Sequence, residues 1–165
     1  WVSLAKLSHT RMKQALDGLA DEQLWYIPAE GSNSIGWLVW HLARWKDIQT
    51  ARAAGEDAVW ASEGWHERFG LPVEASGSGD GPEQVATFRA ERSLLLGYSE
   101  AAHEAAVRRV QDASDEQLLR DIPGIRPGAP ARPAWRSLLI NSIDFTEHTG
   151  QIAYLRGMLT GPGWM

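Results

Sequence analysis

Apolar residues recur at intervals of three and four along four long stretches of this chain, the pattern of amphipathic helices. The first covers about residues 3–19, with Leu4, Met12, Leu16 and Leu19 near one face and Lys6, Lys13 and Asp17 elsewhere. Gly18 and the Ala-Asp-Glu-Gln-Leu that follows break it into a short turn ending at Ile27-Pro28. Ser32, Asn33 and Ser34 are capping candidates for a second helix over about residues 34–54, which Gly55 stops. Residues 56–80 read as a connection with a short helical piece around 58–65, and its end, residues 74–81, has the composition of a flexible loop. Pro82 suits the first position of a third helix that continues to about Gln111 on a stripe of Val85, Phe88, Leu95, Ala102, Ala106 and Val110. Ser114-Asp-Glu-Gln117 is a capping-box pattern for a short piece ending at Ile122-Pro123. A loop holding Pro127 and Pro130 leads to a fourth helix over about residues 133–160, ended by Gly161-Pro162-Gly163. No strand pattern competes, so the pattern predicts an all-α four-helix bundle with long connections.

An internal echo supports that arrangement. Asp21-Glu-Gln-Leu24 with Ile27-Pro28 recurs as Asp115-Glu-Gln-Leu118 with Ile122-Pro123, each copy preceding a loop and then a long helix. Two helix pairs about a pseudo-twofold axis would bring the second and fourth helices together near the centre.

Those two helices carry the candidate chemistry. Asp144 and His148 are four apart, so they project from one face, which continues through Ile140, Gln151 and Leu155. His41 lies on a stripe with Trp37, Leu38, Trp45 and Ile48. Facing helices would deliver one carboxylate and two imidazoles into an apolar interior, a donor set suited to a divalent metal with open coordination positions. Gln151 and Glu147 are candidates to hold an imidazole by its other nitrogen, Glu147 sharing less of the inward face. The same three residues also read as a hydrogen-bonded core histidine beside a buried Asp–His ion pair, and spacing alone leaves both readings open. His9, His66 and His103 are expected at the surface, with His66 the loop residue best placed to close over a site.

Composition narrows the chemistry further. At 165 residues the chain is expected to form one domain, and a net charge of -5 argues against a nucleic-acid partner. No apolar run is long enough to span a bilayer and no signal pattern opens the chain, and the absence of cysteine fits an expected cytoplasmic protein. The chain opens on Trp1 rather than Met, so residues are expected to be missing upstream. Zero cysteines remove thiolate ligands and a cysteine nucleophile, so any thiol must arrive on a small molecule. Nine tryptophans, several near His41, suggest an aromatic-lined pocket, although most are expected to fill the core.

The segments Ser34-Ile-Gly-Trp-Leu-Val-Trp-His41-Leu-Ala-Arg-Trp45 and Asp144-x-x-x-His148-x-Gly150-Gln151-Ile-Ala-Tyr-Leu-Arg156-Gly resemble the two signature helices of the DinB-like superfamily. Gly64-Trp65 with Arg68-Phe-Gly-Leu-Pro72 adds to the likeness, particularly to an actinobacterial branch of uncharacterised members. The resemblance implies a four-helix bundle that holds nickel, zinc or iron near one end, and commonly a homodimer. Members with assigned activity include mycothiol-dependent maleylpyruvate isomerase and bacillithiol transferases. His41 matches the histidine of the second helix and His148 the last histidine of the fourth; Asp144 stands where many members have a third histidine. A carboxylate there shifts the preference towards harder ions. The expected function is therefore a metal-dependent S-transferase or isomerase that uses mycothiol or another low-molecular-weight thiol on a small-molecule substrate. A metal-dependent hydrolase with the same ligands, and a non-catalytic ligand-binding or dimerisation bundle, are the alternatives.

Overall fold

A computed structural model describes residues 1–125 and 128–161. Pro127 of the proline-bearing loop, and Pro162 and Gly163 of the expected stop after the last helix, lie outside the described residues. Four long helices form the bundle: α1 (Val2–Leu16), α3 (Ile35–Ala54), α7 (Arg92–Gln111) and α9 (Ala134–Thr160). Shorter helices fill the connections: α2 (Asp21–Leu24), α4 (Val59–Ser62), α5 (Trp65–Phe69), α6 (Pro82–Thr87) and α8 (Asp115–Leu119). α3 packs along α7 and α9, and α1 closes the bundle against the same two helices. Met12, Trp40, Leu42, Leu95, Tyr98, Phe145 and Ile152 form one continuous core between them.

Helix ends follow the local chemistry. Ser34 Oγ accepts the backbone N–H of Trp37 at 3.2 Å to open α3, and Gly55 closes it in the left-handed region at φ 76°. The echoed Asp-Glu-Gln-Leu segments are the two short helices α2 and α8. In each, a glutamine side chain reaches back to the preceding backbone N–H, Gln23 to Ala20 at 2.8 Å and Gln117 to Ser114 at 2.9 Å.

Several boundaries differ from expectation. The third long helix is broken: α6 ends at Thr87, and Phe88 and Glu91 take extended backbone before α7 begins. No proline or glycine marks this break. Phe88 instead packs against Trp40 (centroids 4.8 Å apart) and Trp25 (5.9 Å), so tertiary aromatic contact overrides helical continuity. A minimal antiparallel pair, β1 (Asp121–Ile122) with β2 (Arg132–Pro133), also forms where no strand was expected. It ties both ends of the loop that precedes α9.

α3 is the most enclosed element and carries an unusual load of buried charge. Asp47, fully buried, accepts from the backbone N–H of Val59 and Trp60, each at 3.0 Å, from Arg109 Nη1 at 2.8 Å and from Tyr98 Oη at 3.2 Å. Arg44 approaches it at 3.6 Å and donates to the Ala75 carbonyl at 2.8 Å. This network pins α4, α7 and the segment around Ala75 to the helix that carries His41.

Candidate metal centre

α3 and α9 bring His41, Asp144 and His148 together: one donor atom from each lies within 4.8 Å of the other two. Their rings and carboxylate meet at an edge of the bundle rather than deep inside it. His41 is buried, whereas the side chains of His148 and Asp144 keep 17% and 30% exposure. Ile140, expected to bracket the polar pair on the inward face, is 40% exposed.

Each imidazole is oriented through Nδ1. His41 Nδ1 donates to the Ser76 carbonyl at 2.7 Å, and His148 Nδ1 pairs with Gln151 Oε1 at 2.8 Å. With both Nδ1 atoms protonated against acceptors, both Nε2 atoms carry lone pairs. His148 Nε2 then faces Asp144 Oδ1 at 3.5 Å, two electron-rich atoms that call for a proton or a cation between them. Asp144 Oδ2 is buried with no hydrogen-bond partner, a further acceptor left open. This donor set fits a divalent ion.

The two imidazoles differ in basicity. Burial, reinforced by the neighbouring His148, lowers the His41 pKa to about 4, so it is neutral at physiological pH. Burial also opposes protonation of His148, but its bonds to Asp144 and Gln151 outweigh that cost and raise its pKa. Between the two imidazoles, protonation is therefore easier at His148 than at His41.

Aromatic rings lie against His41. Trp37 stacks on His41 (centroids 4.6 Å, 12° between planes), and Trp45 meets it edge-on at 6.2 Å. Trp40, Trp60 and Trp65 are core residues. Glu147 is exposed and, with Gln151, lines a cleft of about 830 Å³ on one side of α9. A smaller cavity of about 280 Å³ lies at Asp144, bounded by Trp45, Gln49, Arg52, Arg132 and Asn141.

The loop partner of His41 was not foreseen. Residues 74–81 have a flexible composition, yet they lie against α3: Ser76 and Ala75 give carbonyls to His41 and Arg44, and Asp80 accepts from Trp37 Nε1 at 3.1 Å. Gly77 makes that approach feasible, since its φ is +78° and an added Cβ would sit 2.5 Å from His41 Nδ1. It is this segment, not the half-buried His66 on α5, that touches the candidate ligands.

His9 and His103 also depart from expectation: both are buried, and their rings stack at 4.0 Å with 3° between planes. Burial, together with the charge of Lys46, lowers His9 to about 4 and His103 to about 3. Lys46 is itself buried and lowered to about 8 by desolvation. Among the described residues this second pair gathers no third ligand, and His41, Asp144 and His148 form the group able to hold a metal.

Among the described residues no helix is long and apolar enough to cross a membrane. No match to a curated protein was found. Among solved structures, the chain is similar to the conserved protein of locus from Enterococcus faecalis at 27% identity and a TM-score of 0.84, covering 98% of this chain and 95% of that one. The model of the DinB superfamily matches residues 5–152, a span that includes every ligand candidate on α3 and α9. The chain belongs to the DinB superfamily.

Proposed function

We propose that this protein is a divalent-metal-dependent enzyme that transfers or isomerises a small molecule with the help of a low-molecular-weight thiol such as mycothiol. The observation that carries the metal reading is the convergence of His41, Asp144 and His148, with both Nε2 atoms directed by bonds at Nδ1. Nickel, zinc and iron suit two nitrogens and one oxygen, and the carboxylate favours the harder ions among them.

A bound divalent ion would supply Lewis acidity, lowering the pKa of a thiol or water brought to it. The chain does the rest. Ser76 and Gln151 hold the imidazoles in the tautomer that presents Nε2. Trp37 and Trp45 flank His41 and limit access of water to that ring. Because the sequence has no cysteine, the nucleophilic sulfur must come from a cofactor. A hydrolytic reading uses the same ligands and is favoured by Asp144 Oδ2, whose free lone pairs could take a proton from an attacking water.

The test is turnover of electrophilic chromogenic substrates by metal-loaded protein with and without an added thiol, beside Asp144→Ala. Thiol-dependent turnover that Asp144→Ala abolishes supports the transferase or isomerase. Thiol-independent hydrolysis selects the second reading. Absence of turnover in every combination, with metal bound, refutes both and leaves a ligand-binding or dimerisation bundle.

A further inference from the structure

The small cavity beside Asp144 is walled by groups that make little chemical sense without an occupant. Asn141, on α9, is only 2% exposed, and neither its Nδ2 nor its Oδ1 has a partner. Gln49, on α3, is 8% exposed, and its Oε1 is likewise unpaired. Buried polar atoms left without a hydrogen bond destabilise the fold. Three of them around one cavity of about 280 Å³ mark it as a place where a polar molecule completes the bonding.

The charge of that molecule follows from the cavity wall. Arg52 and Arg132 both line it, close enough for the charge of Arg132 to depress the Arg52 pKa beyond what desolvation already does. Arg52 spends one Nη on the Pro123 carbonyl. Among the described residues no carboxylate forms an ion pair with either guanidinium, although Arg44, Arg92, Arg108 and Arg109 all have acidic partners. Two like charges held beside unpaired amides, in a chain of net charge -5, point to an anion between them. Asp144, which also lines the cavity, would repel an acid group, which sets polarity: the anionic end lies towards the arginines and the rest of the molecule towards the candidate metal ligands.

We propose that this cavity binds the carboxylate of a small acid, with Arg52 and Arg132 taking the charge and Asn141 and Gln49 bonding a neighbouring polar group. This deepens the functional reading above, since it defines the substrate as a small carboxylic acid whose reactive end abuts Asp144. The cavity is too small for a substrate already conjugated to a bulky thiol. The acid and the thiol must therefore approach the centre from different sides.

The test is calorimetric titration of the full chain, treated with chelator so that no acid can bind through a metal, with crotonate and benzoate, their neutral amides, and inorganic phosphate. Carboxylates are expected to bind at least tenfold tighter than the amides or phosphate, and Arg52→Gln and Arg132→Gln each to weaken them about tenfold while the thermal melt is unchanged. Asn141→Leu provides a second reading should an arginine variant not fold: affinity falls although both guanidiniums remain. Equal affinity for acid and amide, or affinities untouched by these variants, overturns the proposal. Tighter binding of phosphate overturns the carboxylate assignment. The metal reading is tested separately with His148→Ala, which loses any metal yet keeps carboxylate binding; retained metal in untreated parent protein with no preference for acids sinks this proposal alone.

Discussion

Replacing Asp47 by asparagine tests whether the buried ion network sets the architecture around α3. The aspartate is fully buried, and its two oxygens receive four hydrogen bonds, from Val59, Trp60, Tyr98 and Arg109. Asparagine retains one acceptor oxygen and turns an NH2 group towards two of those donors. It also removes the charge that compensates Arg44 and Arg109, which are each 3% exposed. Arg109 keeps Glu56 at 3.1 Å, so its loss is partial, whereas Arg44 is left with a carbonyl, a hydroxyl and the face of the Trp60 ring, none of which carries a full negative charge. Breaking a buried pair from one side costs about 3–5 kcal/mol, against a total stability of about 5–15 kcal/mol for a domain. For a chain of this size that corresponds to a fall in Tm of roughly 6–20 °C. Urea denaturation followed by circular dichroism at 222 nm, with calorimetric melts alongside, measures it. A loss below about 1 kcal/mol would refute the reasoning, because it would mean that the network's desolvation cost already cancels its bonding.

Three other perturbations address the second histidine pair and the supports of the candidate centre. His9 and His103 have folded-state pKa values of about 4 and about 3, below the ordinary 6.5, so the unfolded chain binds more protons over that interval. Stability is therefore full above about pH 6.5 and declines as pH falls towards 4 and then 3, each histidine adding up to about 1.4 kcal/mol per pH unit. Urea midpoints at pH 7, 6 and 5 measure the slope, His103→Leu should flatten it, and a flat profile in the parent contradicts it. Gly77→Ala places a Cβ 2.5 Å from His41 Nδ1 and 2.8 Å from the Trp37 ring, so the loop must lift and the Ser76 bond break. Metal affinity by competition with a chromophoric chelator should fall roughly 10–100-fold; unchanged affinity would show that Ser76 does not orient the ring. Gln151→Ala removes the acceptor for His148 Nδ1 and should weaken affinity over the same range, whereas an unaltered value would leave Gln151 without a role there.

Much of this was legible in the chain because it is written in local chemistry. The caps at Ser34, Gly55 and Ser114 and the four-residue spacing of Asp144 and His148 need no tertiary information to read. Other parts depended on the correct phase or on partners distant in sequence. On α1 the buried stripe is Ala5, Ser8, His9, Met12, Ala15 and Leu16, a regular three- and four-residue pattern that includes His9. That histidine's polar neighbours Ser8 and Thr10 point to a surface position, yet Ser8 is buried with it and only Thr10 is exposed. The break after Thr87 comes from Phe88 seeking Trp40 and Trp25, and the carbonyl of Ser76 reaches His41 across 35 positions. Backbone acceptors carry no side-chain signal. Asn141 sits three residues before Asp144 on the same helix, but an amide on a helix is unremarkable until its buried atoms prove to be unpaired.

The central claim is that His41, Asp144 and His148 hold a divalent ion, and elemental analysis of untagged protein purified without chelators tests it most directly. The account predicts near-stoichiometric nickel, zinc or iron in the parent, lost in both His41→Ala and His148→Ala while their melts remain cooperative. Parent protein that is metal-free and takes up none of added nickel, zinc, iron or manganese would contradict it, and the three residues would then be a His148–Asp144 pair beside a neutral His41.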